Sequence, residues 1–208
     1  MLFDYNYFNF VLAELVGRIA SDQLIIEDTL KPRPACKLSS KLIKSLSKRN
    51  KFNVDLLSQL VFIGREIDDF DIKTANLLEA IILAKSALQA VDIKLNTSRV
   101  KPLVDVIGEA RVLSAIIRMT LDIIILDDLS ISELEMSLRR RGDFVTLRIA
   151  APKIATTASF TKDILEFIDK LIKNYGGSIK FVNSASQRLV FIRMRLSNQI
   201  PLLYNKKI

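Results

Sequence analysis

The stretch GEARVLSAIIRMTLDII, residues 108–124, decides how this chain folds. Its apolar side chains recur at three- and four-residue steps and continue to residue 126, which predicts an apolar helix over 108–126. On either side, residues 91–96 and 131–138 alternate as strands do, and Ile93 and Leu95 fall on one strand face. An apolar helix between two such strands predicts a helical layer over a sheet.

The same periodicities continue in both directions along the chain. They predict a helix before this centre and, after it, a turn at Arg141-Gly142-Asp143 with further strands and a helix that ends at Tyr175-Gly176-Gly177. The order α-β-α-β-β-α-β-β that results predicts an α+β fold with a mixed sheet. The additional predicted elements are helices over 73–90 and 161–174, and strands over 144–149, 178–182 and 189–196.

Two long helices are predicted before this layered part. Apolar residues recur at helical spacing over 5–30, and Lys31-Pro32-Arg33-Pro34 ends the first helix; a second pattern runs from Leu38 to Ile67, with residues 50–53 as an interruption. Two helices cannot bury their apolar faces alone, so we expect the same hairpin of a second chain to complete a four-helix bundle. We therefore expect a homodimer with a helical domain at 1–69 and a second domain at 70–208.

The net charge of +8 comes from one part of the sequence. Eight lysines and arginines and no acid lie between Lys31 and Lys51. Such a stretch either attracts an acidic surface or nucleic acid, or forms a solvated hairpin tip and helix face. We favour the solvated interpretation, without nucleic acid as a partner, because no aromatic or arginine-rich pattern accompanies this charge.

Composition also excludes several kinds of site. The chain has no histidine, and its single cysteine, Cys36, excludes an internal disulfide. No cysteine pair, histidine cluster or acidic loop offers a metal site. No apolar run approaches the roughly 18 residues of a membrane span, and the first residues lack the features of a secretory signal. We therefore expect a cytoplasmic protein without membrane contact.

Three motifs, in this order and spacing, resemble histidine kinases. LSQLVFIGREI at 57–67 is similar to the end of a kinase dimerisation hairpin, and residues 108–124 are similar to the helix of the kinase asparagine box. IKNYGGSI at 172–179 is similar to the last helix-to-strand turn of the kinase ATPase domain. The resemblance covers nearly the whole chain and implies a helical hairpin followed by a histidine-kinase-type ATPase α/β sandwich.

The resemblance also implies that the ATP chemistry is missing. Met119 and Ile123 stand where the two asparagines that hold magnesium and phosphate would lie, and neither side chain can do so. Residues 150–153, AAPK, replace the first glycine-rich box, and residues 155–159 are all that remains of the second. We therefore expect a degenerate ATPase domain that uses no cofactor.

A chain of this kind resembles the ChpT-type histidine phosphotransferases. In that family a dimeric hairpin carries a phosphoacceptor His-Asp pair, and the kinase-like domain helps to bind response-regulator receivers without ATP. LVGRIASD at 15–22 matches the pattern around that pair, with Ser21 in place of the histidine and with Arg18 and Asp22 retained. A serine hydroxyl is a poor nucleophile without a base.

Three functions follow from these observations. The first is a dimer in a two-component phosphorelay that binds a receiver through Arg18 and Asp22, with no transfer from Ser21. The second is an enzyme that uses Ser21 with Asp22, and whether the chain is an enzyme stays open. The third is a basic scaffold or nucleic-acid-binding protein that uses residues 31–51.

Overall fold

The computed structural model of the chain describes residues 5–30, 40–66, 73–89, 93–100, 104–152, 159–184 and 186–197. Five helices and seven strands lie in this part of the chain. The helices are α1 (Tyr5–Leu30), α2 (Ser40–Glu66), α3 (Leu77–Gln89), α4 (Ala110–Asp127) and α5 (Ser159–Asn174). The strands are β1 (Thr74–Asn76), β2 (Lys94–Arg99), β3 (Asp105–Ile107), β4 (Glu133–Arg141), β5 (Phe144–Pro152), β6 (Ser178–Asn183) and β7 (Gln187–Arg195).

Helices α1 and α2 pack against each other as a hairpin. Val11 and Leu15 of α1 are fully buried, as are Leu56 and Leu60 of α2, at the helical spacing that places them on one face of each helix. The predicted interruption at residues 50–53 was wrong, because α2 runs unbroken through them. Phe52 and Asn53 are buried there, and packing of this kind overrides the weak helix propensity of asparagine.

The main sheet has five strands in the order β2-β4-β5-β7-β6. β2 and β4 are parallel, and every other neighbouring pair is antiparallel. A two-residue turn at Gly142 and Asp143 joins β4 to β5, and Gly142 has φ +57° there, a conformation that glycine adopts without strain. The sheet is therefore mixed, as the order of predicted elements indicated.

Helix α4 is the centre of the hydrophobic core. Its side chains are buried almost without exception from Val112 to Ile125, and it packs between α2, α3 and α5. They form one continuous hydrophobic cluster with the inward side chains of the sheet, such as Leu134, Leu147 and Ile192. A helix that is apolar on nearly all sides is a core helix, and this explains why residues 108–124 are so rich in isoleucine and leucine.

The hairpin also packs onto the helical layer. The ring of Phe8 lies 5.7 Å from that of Phe167 on α5, and the Tyr7 hydroxyl donates a hydrogen bond to the Asp163 carbonyl at 2.7 Å. At the other end, the Lys48 ammonium donates to the Leu129 carbonyl at 2.7 Å. Hairpin and layered part thus share one core. The predicted domain boundary at 69/70 lies outside the described residues and stays a prediction.

Two short strands, β1 and β3, were not predicted from the sequence. β1 occupies the start of the predicted 73–90 helix and pairs with β3, within the predicted connection before α4. Helix α3 therefore begins at Leu77, where the Asn76 side chain accepts hydrogen bonds from the backbone amides of Leu78 and Glu79. The Lys-Pro-Arg-Pro stop at 31–34 lies outside the described residues. The remaining predicted helices and strands are present, with ends that differ by a few residues, so the α+β class and the hairpin before a mixed sheet are confirmed.

Candidate functional site

Ser21 lies exposed in the second half of α1. The residue that follows it, Asp22, is only 4% exposed, because consecutive residues of a helix point about 100° apart and Asp22 falls on the side that faces α2. The predicted pair is thus divided between two environments: Ser21 is open to a partner and Asp22 is enclosed within the hairpin.

Asp22 is bound by Arg49 of α2. The Arg49 Nε donates to one carboxylate oxygen of Asp22 at 2.8 Å, and Nη2 donates to the other. This hydrogen bond raises the pKa of the Arg49 guanidinium above its ordinary value, although partial burial acts against it. A two-pronged arginine–carboxylate pair of this kind fixes the register of α1 against α2.

Arg18 lies one turn before Ser21 on α1. Its Nη2 donates to the Glu14 carboxylate at 3.2 Å, and its side chain is about two-fifths exposed. Arg18 and Ser21 are therefore at neighbouring positions of one helix surface. The carboxylate of Asp22, in contrast, is enclosed between the two helices.

Sequence reasoning missed the contribution of Arg49. The sequence indicates Arg49 only as part of the basic 31–51 stretch. Its partner, Asp22, lies 27 positions away on the other helix. Lys48 of the same stretch contacts Leu129, so two of these cations stabilise the fold itself. Residues 31–39 of the stretch lie outside the described part of the chain.

The two α4 positions that the resemblance assigned to asparagines hold buried apolar side chains. Met119 and Ile123 of α4 are buried in the hydrophobic cluster. Ala150 and Ala151, which the resemblance placed at the first glycine-rich box, are buried at the end of β5. Lys153 and residues 155–158 lie outside the described residues, and Ser159 begins α5.

Comparison with solved structures identifies the architecture. Acinetobacter baumannii histidine kinase AdeS superposes over 90% of this chain and 96% of its own, with a TM-score of 0.52 and 20% identity. The histidine kinase ThkA, solved in complex with the response regulator protein TrrA, superposes over 91% of this chain with a TM-score of 0.52 and 14% identity. This chain has a histidine-kinase-like fold. It spans 60% of the ThkA chain. No protein-family model and no curated protein matches the sequence.

Within this histidine-kinase-like fold, charged groups are buried where the hairpin meets α4. The Arg118 guanidinium donates to Asp122 at 3.0 Å on its own helix and to Asp55 of α2 at 3.1 Å. Arg118 and Asp122 are nearly inaccessible to solvent. Burial raises the pKa of Asp122 to about 8 despite the opposing charge of Arg118, and the negative charge of Asp55 contributes to the increase.

Two further observations concern metals and membranes. Among the described residues, no three acidic or cysteine side chains gather into a group that could hold a metal ion. In the same part of the chain, the helices are too short or too polar to cross a membrane.

Proposed function

We propose that this chain is a dimeric, histidine-phosphotransferase-like protein of a two-component phosphorelay that binds a response-regulator receiver and does not transfer phosphoryl groups. The observation that carries the proposal is the surface of α1, where Ser21 is exposed beside Arg18 on a hairpin that Asp22 and Arg49 hold in register. Docking requires a complementary surface, whereas transfer requires one nucleophile at one point. A chain that keeps the surface and lacks the histidine is therefore suited to bind a receiver without transferring a phosphoryl group.

The known structures support a receiver as the partner. ThkA, which shares the fold, was solved in complex with a response regulator protein. A receiver carries an aspartate-rich phosphorylation site, and an exposed arginine such as Arg18 is suited to a carboxylate or phosphoryl group there. The relationship to ChpT-type proteins in particular is part of this proposal.

The chemistry of the hairpin supports binding without transfer. A serine hydroxyl needs a general base to become a nucleophile. Asp22 is the adjacent carboxylate, and both of its oxygens accept hydrogen bonds from Arg49. This arrangement disfavours the alternative of an enzyme that uses Ser21 with Asp22.

The exposed apolar residues of α1 lie beside Ser21. Phe10 and Leu24 are exposed along one line of the helix. Ser21 precedes Leu24 by three residues and therefore adjoins this line. A dimer formed through this line brings the second chain close to Ser21, so a receiver would contact both chains there.

The test is a binding titration beside a transfer assay. Each receiver domain encoded in the same genome is titrated against the purified chain and against Ser21→His, and each is tested as a phosphoryl donor after phosphorylation with radiolabel. We expect one receiver to bind both forms and to label only Ser21→His, since the imidazole supplies the missing nucleophile.

Arg18→Ala and Arg111→Ala form a matched pair for this test. Both arginines are on helices, but Arg111 is exposed on α4 and not on α1. Arg18→Ala should weaken receiver binding and Arg111→Ala should not. Binding of no receiver by either form would refute the proposal, and labelling of the unmodified chain at Ser21 would support the enzyme instead.

The proposal includes a second domain that does not bind ATP. Met119 and Ile123 offer a thioether and an alkyl group, neither of which coordinates magnesium through oxygen, and both are buried in the core. Isothermal calorimetry with Mg-ATP should therefore show no heat of binding. A micromolar dissociation constant would contradict this prediction.

A further inference from the structure

The sheet has a second face that the proposed function does not use. On β5, Val145, Leu147 and Ile149 are buried against the helical layer. Because alternate residues of a strand point to opposite faces, Phe144 and Arg148 of the same strand lie on the other side, where both are partly exposed.

This outer face concentrates arginines and phenylalanines on three adjacent strands. We name it the arginine face and define it by Arg139, Arg141, Phe144, Arg148, Phe191 and Arg193, which belong to β4, β5 and β7. The register places Arg139 and Arg193 on either side of Thr146, and it places Arg148 next to Phe191. Neighbouring strands are about 4.8 Å apart, so these groups form one contiguous surface.

Acids lie at the margins of the arginine face. Asp143 is in the β4–β5 turn, and Glu135 lies further along β4, where its carboxylate is 3.9 Å from Arg148 and 3.0 Å from Arg99. Arg139, Arg141 and Arg193 are exposed. The centre of the face is therefore strongly positive, and this charge is separate from the basic residues at 31–51.

Cations and rings alternate over two shallow depressions of this surface. The Arg193 guanidinium carbon lies 3.6 Å from the centroid of the Phe144 ring, a cation–π contact that lines the first depression together with Arg141 and, at its turn end, Asp143. The second depression is lined by Arg139, Arg148 and Phe191. The second depression thus offers phosphate-binding groups beside the Phe191 ring, on which a base can stack, and the first offers the planar Arg193 guanidinium that covers Phe144.

We propose that the arginine face binds single-stranded nucleic acid. Arginine recognises phosphate with two parallel hydrogen bonds, and its planar group stacks on aromatic rings and bases, which lysine does not do. An open sheet with exposed rings among cations is a known way to hold unpaired bases. An acidic protein surface could bind through the positive charges alone. The presence of Phe144 and Phe191 among the arginines therefore favours nucleic acid, whose bases stack on such planar groups.

The test is fluorescence anisotropy with labelled 15-nucleotide oligo-dT and oligo-U and with a duplex of mixed sequence. We expect the single strands to bind more tightly than the duplex. The slope of log affinity against log salt should become less steep by about 0.7 for each phosphate contact removed. Arg139→Ala with Arg193→Ala should lower the affinity at least tenfold and reduce the slope accordingly.

Two controls separate this face from general charge attraction. Lys44→Ala with Lys51→Ala removes the same charge from exposed positions of α2 and should change the affinity less than twofold. Phe191→Leu keeps the charge and an apolar side chain but removes the ring, and it should weaken single-strand binding about 5- to 150-fold. Thermal melting by circular dichroism checks that each variant is folded.

Three results would overturn the proposal. The first is no measurable binding of either single strand, and the second is an equal loss of affinity in the arginine and lysine pairs. The third is an unchanged affinity in Phe191→Leu together with competition by polyglutamate as strong as by oligo-dT, which would identify an acidic protein as the partner. If the proposal is supported, the tighter-binding oligomer of the two, oligo-dT or oligo-U, shows whether the face prefers DNA or RNA.

Discussion

Asp122 and Arg118 place ionisable groups inside the helical layer, at the contact between α4 and the hairpin. The carboxylate of Asp122 is fully buried, and burial raises its pKa to about 8 from an ordinary value of 3.8. The protonated form is therefore favoured in the folded chain, whereas the unfolded chain holds the carboxylate ionised at neutral pH. Stability must depend on pH through this residue.

The sign of this dependence follows from the raised pKa. The contribution of Asp122 to the free energy of unfolding is fully present below about pH 4. It decreases as the pH rises towards 8 and is lost above the pKa of the folded state. The maximum slope is about 1.4 kcal/mol per pH unit. Asp122→Asn should flatten the dependence between pH 5 and 8, measured as the free energy of unfolding in urea. An equal pH dependence in both proteins would show that Asp122 is ionised in the folded state.

The sequence places Ser21 and Asp22 on a helix, but it does not indicate the environment of either side chain. Ser21 is exposed on α1. Asp22 was assigned to partner binding beside Ser21, and that role stays a prediction, but its present partner is Arg49, 27 positions away. Nothing local to either residue indicates this pair, because helix–helix register is set by the packing of the whole hairpin.

At the scale of an element, the contact between α1 and α2 depends on a small residue. A Cβ atom on Gly64 of α2 would lie 2.7 Å from the Cζ atom of Phe8. The Phe8 ring is itself held against Phe167 of α5. Glycine at this position therefore lets α2, α1 and α5 meet at one point.

Gly64→Ala tests this contact. Alanine adds helix propensity, but the clash with an enclosed ring should outweigh it and destabilise the chain by about 1–3 kcal/mol in urea unfolding. Gly17→Ala is the matched control, since a Cβ there meets no atom within 4 Å, and it should stabilise α1 by about 0.5–1 kcal/mol. Equal effects of the two substitutions would mean that the Phe8 ring moves aside freely.

Long, strongly periodic elements were predictable, and short ones were not. α1, α2, α4 and the hairpins β4–β5 and β6–β7 carry clear periodicity or a glycine turn. β1 and β3 have only three residues each, and they pair with each other although α3 and β2 lie between them in the sequence. The asparagine at 76 with a glutamate three residues later is a helix-start signal that locates the beginning of α3.

For the whole molecule, the hairpin retains an exposed apolar surface. Phe10, Val16 and Leu24 of α1 are exposed, as are Val54 and Val61 of α2, and Leu24 is 65% exposed. The expected four-helix bundle would cover this surface, because each fully buried leucine contributes about 1.5–3 kcal/mol. The homodimer stays a prediction.

Leu24→Glu should convert the dimer into a monomer at micromolar concentration, because it places a charge on the apolar surface that the expected bundle buries. Ile82→Glu is the control, since Ile82 is 56% exposed on α3, outside the hairpin, and the variant should stay dimeric. Light scattering measures both masses. A monomeric unmodified chain would contradict the four-helix bundle.

The parallel pairing of β2 with β4 has a consequence for the order in which the sheet assembles. The antiparallel neighbours β4–β5 and β6–β7 are each joined by a short turn, so these hairpins close small loops and can form early. β2 can join β4 only after the chain has passed through β3 and the whole of α4. We therefore expect β2 to be the last strand protected in a pulsed hydrogen-exchange experiment, and the edge it covers to be the part of the nascent sheet most prone to intermolecular pairing.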